Sequence, residues 1–398
     1  MNTKIVAIVL VAVVAIAGVA TAIILMQPKD TVSYDSSAFN VVSRVNSEGS
    51  GFYIDKTVAD TSGLMPKRIS NNVDFFGDGW TLSSANKDAW GGLIMGDPGN
   101  QSIQHIQLAT IASSVGLKFA QYVEGSSTSN DTLYYVTNLN NYGAIMGDAN
   151  IQGGIVWEPQ FQKVIQKSSD KYTTLALTND VFDGHACCII AANHNWLGEN
   201  SGNMVKFLAA YIKAVDYINT AKANPSGAEY ADIMSIAKTN NPTLDDAEIA
   251  AALGTITYLY ADDENGSLGT LKSNIADLAK SLNDMGFITS KNFKDANKVA
   301  NAFVDDKYLK DAVADKASKE GTATLKVAVI SGDIHQLAIH VALAKGYFTE
   351  YGLTISLSTG GSGGDIATML VSKDVQIGFM GAPPATLKTI NSDCIVVS

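Results

Sequence analysis

From Phe39 onward the sequence alternates short apolar runs of β character with stretches whose apolar residues recur every three to four positions. This alternation constrains the fold more than any other feature. A strand followed by a helical crossover buries its apolar side most readily by laying the next strand parallel, so the pattern predicts an α/β protein with largely parallel sheets. Strand runs fall at 40–43, 93–95, 118–122, 133–136, 154–156, 174–177 and 188–192, and near the C-terminus at 325–330, 354–358, 375–379 and 394–397. Met204, Phe207, Leu208, Tyr211, Ile212, Val215 and Ile218 form one helical stripe, which stops before Pro225. A second block, 228–317, keeps helical spacing through Ile233, Ile236, Ile249, Leu253, Ile256, Tyr260, Ile275, Leu278 and Leu282, and predicts scaffold helices without a strand. The Asn-, Asp-, Gly- and Ser-rich stretch 60–88 reads as a long connection.

With 46% hydrophobic residues in 398, there is ample material for two or three packed domains. The net charge is −11 and the arginines are Arg44 and Arg68, which excludes nucleic-acid binding of the kind that needs clustered cations. Three cysteines, Cys187, Cys188 and Cys394, cannot supply a disulfide framework or a four-thiolate zinc site.

Residues 5–26 are an apolar run of 22 behind Lys4. At 1.5 Å per residue such a helix spans about 30 Å, the thickness of a bilayer's hydrocarbon core. Ala20-Thr21-Ala22 offers a signal-cleavage site, but Ile23-Ile24-Leu25-Met26 follows it instead of a polar start. Residues 1–30 are therefore read as a membrane anchor, with a cleaved signal segment as the alternative. This places the protein at the cell membrane, with a single N-terminal anchor and the remainder extracytoplasmic. Glycosylation sequons at Asn100, Asn130 and Asn265 agree with export.

Four junctions between a strand and a helix carry small polar residues: 329–335, 358–365, 379–384 and 96–102. The first turn of a helix leaves backbone N–H groups unpaired with about half a positive charge behind them. Small side chains let a ligand approach that backbone, so several such turns around one cleft make an anion site without basic residues. Each junction taken singly reads more readily as a helix cap. Their recurrence is what points to a ligand.

The same residues resemble a known family. Leu325-Lys326-Val327-Ala328-Val329, His335, Val341-Ala342-Leu343-Ala344-Lys345-Gly346-Tyr347-Phe348 and Tyr351-Gly352-Leu353 are similar to the opening of the nitrate/sulfonate/taurine solute-binding proteins of ABC transporters. The glycine-rich turn 360–364, a strand of the "Gly-x-x-Asp-Ile-Gly" type at 372–379 and the Pro-bearing helix start Ala382-Pro383-Pro384-Ala385 continue the likeness. So do Ser47-Glu48-Gly49-Ser50-Gly51, residues 98–105, Gly153-Gly154-Ile155-Val156-Trp157-Glu158-Pro159 and His185-Ala186-Cys187-Cys188. In that family the segment resembling 325–398 comes first and the one resembling 39–320 follows. The order here is reversed, as in a circular permutation or a fragment of a tandem duplication, with a misjoined or truncated gene as a third reading. Permutation would set 41–43 beside 395–398, because it is tolerated where the ends adjoin.

The resemblance implies a two-lobed periplasmic-binding-protein-like fold of type II. Lobe I would comprise 31–90 plus 183–398, with the helical block 201–321 wrapping it, and lobe II would comprise 91–182. A ligand would sit between them at the carboxyl ends of strands. Ser331, His335, Ser362, Gly363 and Ala382 lie on junctions matching the family's cleft-lining turns, and Gln101 and Ser102 close from lobe II. Arg44, read at a strand end, offers a bidentate clasp on an oxyanion, with a surface ion pair as the alternative. Ser47 and Glu48 follow in the same loop, where Glu48 suits an ammonium group or a pairing with Arg44. Trp157 and Glu158 are placed at the cleft rim, with a core position as the alternative for Trp157.

Three chemistries are set aside. Cys187 and Cys188 are strand neighbours facing opposite sides, so they read as buried structural residues and no metal is expected. Gly360–Gly364 matches the Gly-x-Ser-x-Gly elbow, but no His follows His340, so no hydrolase and no catalytic residue is expected. No cofactor is expected. The reading is thus an extracytoplasmic solute-binding protein that takes a small anionic or zwitterionic solute (sulfonate or taurine, nitrate or bicarbonate) and delivers it to an ABC permease and ATPase. Its partners would be that solute, those subunits and the membrane through residues 5–26. The alternatives are an anchored ligand sensor, or a periplasmic-binding-like enzyme of pyrimidine or thiamine-precursor metabolism.

Overall fold

The computed structural model describes residues 34–36, 38–58, 61–65, 82–182, 185–262, 270–392 and 395–397. The apolar run 5–26, much of the 60–88 connection and Cys394 lie outside them. Among the described residues no helix is long and apolar enough to cross a membrane.

Two six-stranded sheets organise the chain. The first has the order β10-β2-β9-β13-β11-β12 and the second β5-β6-β4-β7-β3-β8. The first sheet comprises β2 (Phe39–Glu48), β9 (Ala186–Asn193), β10 (Ile256–Tyr258), β11 (Ala323–Ile330), β12 (Leu353–Gly360) and β13 (Ile377–Gly381). The second comprises β3 (Ser50–Asp55), β4 (Ile94–Gly96), β5 (Lys118–Gln121), β6 (Thr132–Val136), β7 (Gly153–Trp157) and β8 (Tyr172–Leu177). The expected strands are all present, but the sheets are mixed rather than largely parallel. The ladders β11–β12, β11–β13, β4–β6, β4–β7 and β5–β6 are parallel, while β2, β3, β8, β9 and β10 join antiparallel. The antiparallel members are those nearest the two places where the chain passes between sheets.

The first passage is a single residue. Gly49 separates β2 from β3, and Glu48 and Gly49 hold φ of 71° and 84°. A Cβ on Gly49 would stand 2.4 Å from His335 Nε2 and 2.6 Å from Ile256 Cγ1, so glycine is required there. The expected lobe boundary at 90/91 does not follow the sheets, because β3 pairs with β7 and β8. The chain crosses at Gly49 and returns between β8 and β9.

The long helices are α1 (Ile103–Ser114), α2 (Gln160–Lys167), α3 (Ser201–Ala223), α4 (Ala228–Asn240), α5 (Asp246–Thr255), α6 (Leu271–Asp284), α7 (Ala296–Phe303), α8 (Leu337–Ala344), α9 (Gly363–Val371) and α10 (Ala382–Asn391). The predicted α3 stripe is buried, with Met204, Phe207, Leu208, Tyr211, Val215 and Ile218 at the core beside Phe379 and Val327 of the first sheet. A second apolar core contains Phe39 and Ile189 of the first sheet with Phe52 and Ile155 of the second, together with α1, α6, α7, α9 and α10. The block 228–317 is helical but not strand-free. Ile256 and Tyr258 form β10 against β2.

β1 (Tyr34–Ser36) pairs antiparallel with β14 (Ile395–Val397) in a two-stranded ribbon. The segment beside β14 is thus 34–36 rather than 41–43. Val41 instead pairs with Ala191 and bridges to Val304.

Candidate functional site

Five strand ends meet at one cavity of about 220 Å³. Ile330, Gly361 and Gly381 reach it at the carboxyl ends of β11, β12 and β13, and Pro98 and Trp157 at those of β4 and β7. The first sheet also contributes Asp333, His335, Ser362, Gly363, Gly364, Pro383 and Pro384. Gly99, Gln101, Ser102, Ile103, Gln104 and Asn140 complete the other wall. Of the sequence-derived candidates, His335, Ser362, Gly363, Gln101, Ser102 and Trp157 are therefore brought together. At roughly 30 Å³ per water the cavity holds on the order of seven waters, the scale of a solute with a few heavy atoms.

The junctions act as caps as well as walls. Ser102 Oγ accepts from His105 N at 3.1 Å and opens α1; Ser362 Oγ accepts from Asp365 N at 3.2 Å and opens α9. Gly363 must stay small, since a Cβ there would lie 2.8 Å from Pro384 Cγ. At α10 the prolines 383 and 384 lack N–H groups, so that helix start contributes a rigid wall and few donors. Asp365 Oδ2 accepts from Gly361 N at 3.1 Å, which occupies one donor of the glycine turn.

His335 is the electrostatic centre. Its Nδ1 lies 2.7 Å from Asp333 Oδ1 and its Nε2 2.9 Å from the Gly49 carbonyl oxygen. Both partners accept only, so both ring nitrogens must carry hydrogen and the ring is an imidazolium. Burial alone would lower its pKa. The Asp333 carboxylate, the nearby Cys187 and the two hydrogen bonds outweigh burial and raise it to about 9. Asp333 is held in turn: Oδ1 also accepts from His335 N at 3.0 Å and Oδ2 from Gln336 Nε2 at 3.1 Å.

Six candidates lie elsewhere. Arg44 is not at a strand end but inside β2, fully buried, donating from Nε to Asp262 Oδ1 at 3.0 Å and from Nη2 to Asn274 Oδ1 at 2.7 Å. It ties β2 to the start of α6. Ser47 and Glu48 belong to the same strand rather than to a loop, and both are buried. Glu158 is buried behind Trp157, accepting from Gln162 Nε2 at 3.0 Å and Thr255 Oγ1 at 2.8 Å; burial pushes its carboxyl pKa up. Ser331 is exposed on the turn before Gly332, and Ala382 is buried between cavity-lining neighbours.

Sequence reasoning missed Asp333 and the two cysteines. Cys187 and Cys188 both line the cavity, with their sulfurs 4.0 Å apart. A register shift explains this. Asn46 pairs with Cys188 but Ser47 with Ala186, leaving Cys187 in a β-bulge that re-aims its side chain. A second cavity, about 600 Å³, lies between α1 and α6, lined by His105, Phe119, Tyr135, Asp277, Asp284 and Phe287 among others. It touches none of the candidate residues.

No protein-family model matches the chain, and no curated protein matches it in sequence. In three dimensions it is similar to the periplasmic nitrate-binding protein NrtA from Synechocystis PCC 6803. The TM-score is 0.46 and the sequence identity 11%, over 70% of this chain and 67% of that one.

Proposed function

We propose that the chain is an extracytoplasmic solute-binding protein of the ABC-importer type, periplasmic-binding-like of type II, which holds a small anion or zwitterion between its two sheets. The observation that carries this reading is the convergence of glycine- and serine-bearing strand ends from both sheets on one small cavity with an imidazolium in its wall. The charge of His335 is balanced by Asp333, so it is the first-turn N–H groups of α1 and α9 that favour a negative group, while Trp157 and Ile103 offer apolar cover to a short alkyl part. Sulfonates such as taurine, nitrate and bicarbonate fit this chemistry. Residues 5–26 would anchor the protein to the membrane, and an ABC permease and ATPase would receive the solute.

The reversed segment order is proposed to be a circular permutation. The β1–β14 ribbon supports it by bringing residues 34–36 and 395–397 side by side.

The experiment is a thermal-unfolding panel on the purified full-length chain with taurine, other sulfonates, nitrate, bicarbonate and a pyrimidine at millimolar dose. The best small ligands gain about 1.5 kcal/mol per heavy atom, so a five-atom anion reaches micromolar affinity. At a thousandfold excess over Kd it adds about 4 kcal/mol of stability, several degrees in Tm. An absence of any shift with the anions overturns the reading, and a shift with the pyrimidine alone transfers it to an uncharged ligand.

A further inference from the structure

The cavity between α1 and α6 plays no part in anion binding, yet it is built around one ring. Its volume of about 600 Å³ falls in the range of small-molecule sites. His105, in the first turn of α1, stands in its wall and is only 2% exposed. The ring's Nδ1 lies 2.8 Å from Oδ2 of Asp97, which is fully buried. Asp97 is fixed in turn: its Oδ1 accepts from Gly99 N at 2.8 Å, and its own N–H donates to the Val136 carbonyl at 2.9 Å.

A carboxylate only accepts, so Nδ1 carries hydrogen, and in the neutral ring Nε2 holds a lone pair. Among the described residues Nε2 makes no hydrogen bond. Asp97 does not line the cavity, so the edge of the ring turned away from it, which bears Nε2, is the edge the cavity meets.

Aromatic side chains frame that edge. Phe119 of β5, Tyr135 of β6 and Phe287 after α6 have ring centroids 5.1, 4.8 and 5.6 Å from the imidazole. All three line the same cavity and are only half-buried. Half-covered rings around a buried imidazole with one nitrogen unused leave both apolar surface and a hydrogen bond for a ligand to complete.

Charge selects that ligand. Asp277, Lys280 and Asp284 of α6 form the facing wall. With Asp97 behind the ring, three carboxylates stand against one ammonium and one imidazole, so the site is negative whichever form the ring takes. An anion is disfavoured here. A flat cation with N–H groups meets the Nε2 lone pair and the carboxylates, while its face meets the aromatic rings.

We propose that this second cavity binds a small aromatic cation bearing N–H donors, with His105 Nε2 accepting from it and Phe119, Tyr135 and Phe287 covering its apolar part. The site shares no lining residue with the anion cavity, and neither proposal depends on the other.

The probe is benzamidine, titrated calorimetrically at low salt into the full-length chain, beside the neutral near-isostere benzamide and the anion benzoate. The chain is expected to take up one benzamidine with a Kd below about 1 mM. Benzamide and benzoate should bind at least about tenfold more weakly, because neither offers a charged donor. His105→Gln is expected to weaken benzamidine by about tenfold or more, and Asp284→Lys, at an exposed position, by about fivefold. No uptake of benzamidine, equal binding of benzamide, or an unchanged Kd in either variant overturns the proposal. Should His105→Gln fail to fold, Asp284→Lys and the comparison of the three ligands decide it.

Discussion

Replacing His335 by Gln tests whether the ring is the buried cation its two acceptors demand. Burial opposes charge on this ring, yet Asp333, Cys187 and the hydrogen bonds lift its pKa from 6.5 to about 9. At 1.36 kcal/mol per unit, the gap corresponds to roughly 3 kcal/mol of stability. Because the folded-state value lies above the unfolded one, this contribution is complete below about pH 6.5 and disappears as pH rises through about 9. Two neighbours act in the opposite sense. Burial depresses Lys222 to about 8, and Cys187 lies below the ordinary thiol range, chiefly through its contact with Cys188, so both groups favour the folded state more as pH rises. The reading is therefore the difference between wild type and His335→Gln, which removes the shared Lys222 background. Urea unfolding followed by tryptophan fluorescence at about pH 6 and about pH 9.5 supplies it. The advantage of wild type is expected to shrink between the two, by at most roughly 3 kcal/mol, because Cys187 interacts with His335 and its opposing contribution changes with the substitution. An advantage that stays constant, or grows, refutes the imidazolium.

Arg44→Met is expected to lower stability by about 3 kcal/mol, because it strips Asp262 and Asn274 of a buried partner, as a shift in thermal midpoint will show. The solute-induced shift of the folded variant should survive, since Arg44 does not reach the cavity. Ser362→Ala should cost about 1 kcal/mol through loss of the α9 cap, and Ser362→Gly only a few tenths. In denaturant titrations both are expected to keep the response to solute, because the hydroxyl is spent on Asp365 N.

The strand ends were legible because period-two and period-3.6 patterns break at small residues, and the breaks at Gly99, Ser362 and Gly381 are where the cavity forms. β3 escaped notice because one glycine replaces the turn cluster that normally announces a new strand. β10 escaped because Ile256 also fits, with Leu253 and Tyr260, the helical spacing of its neighbours. Arg44, Ser47 and Glu48 were misplaced for a related reason. β2 runs buried on both faces, so its polar residues look like a loop until their partners on distant segments, such as Tyr260 for Ser43 and Asp262 for Arg44, are in place. The cysteine pair depends on register against β2, and no spacing along the chain encodes a register. His335 was named from its junction, but its charge state needed the Gly49 carbonyl, which is 286 residues away in sequence.

Gly49 leaves the chain no slack where the sheets join. Its carbonyl accepts from His335 on one side and from Glu158 N, at 2.9 Å, on the other. One residue spans only about 3.8 Å, so the two halves cannot slide apart at this point. Any change of angle between the sheets would have to be taken up by the backbone torsions of residues 48 and 49 together with the return passage between β8 and β9.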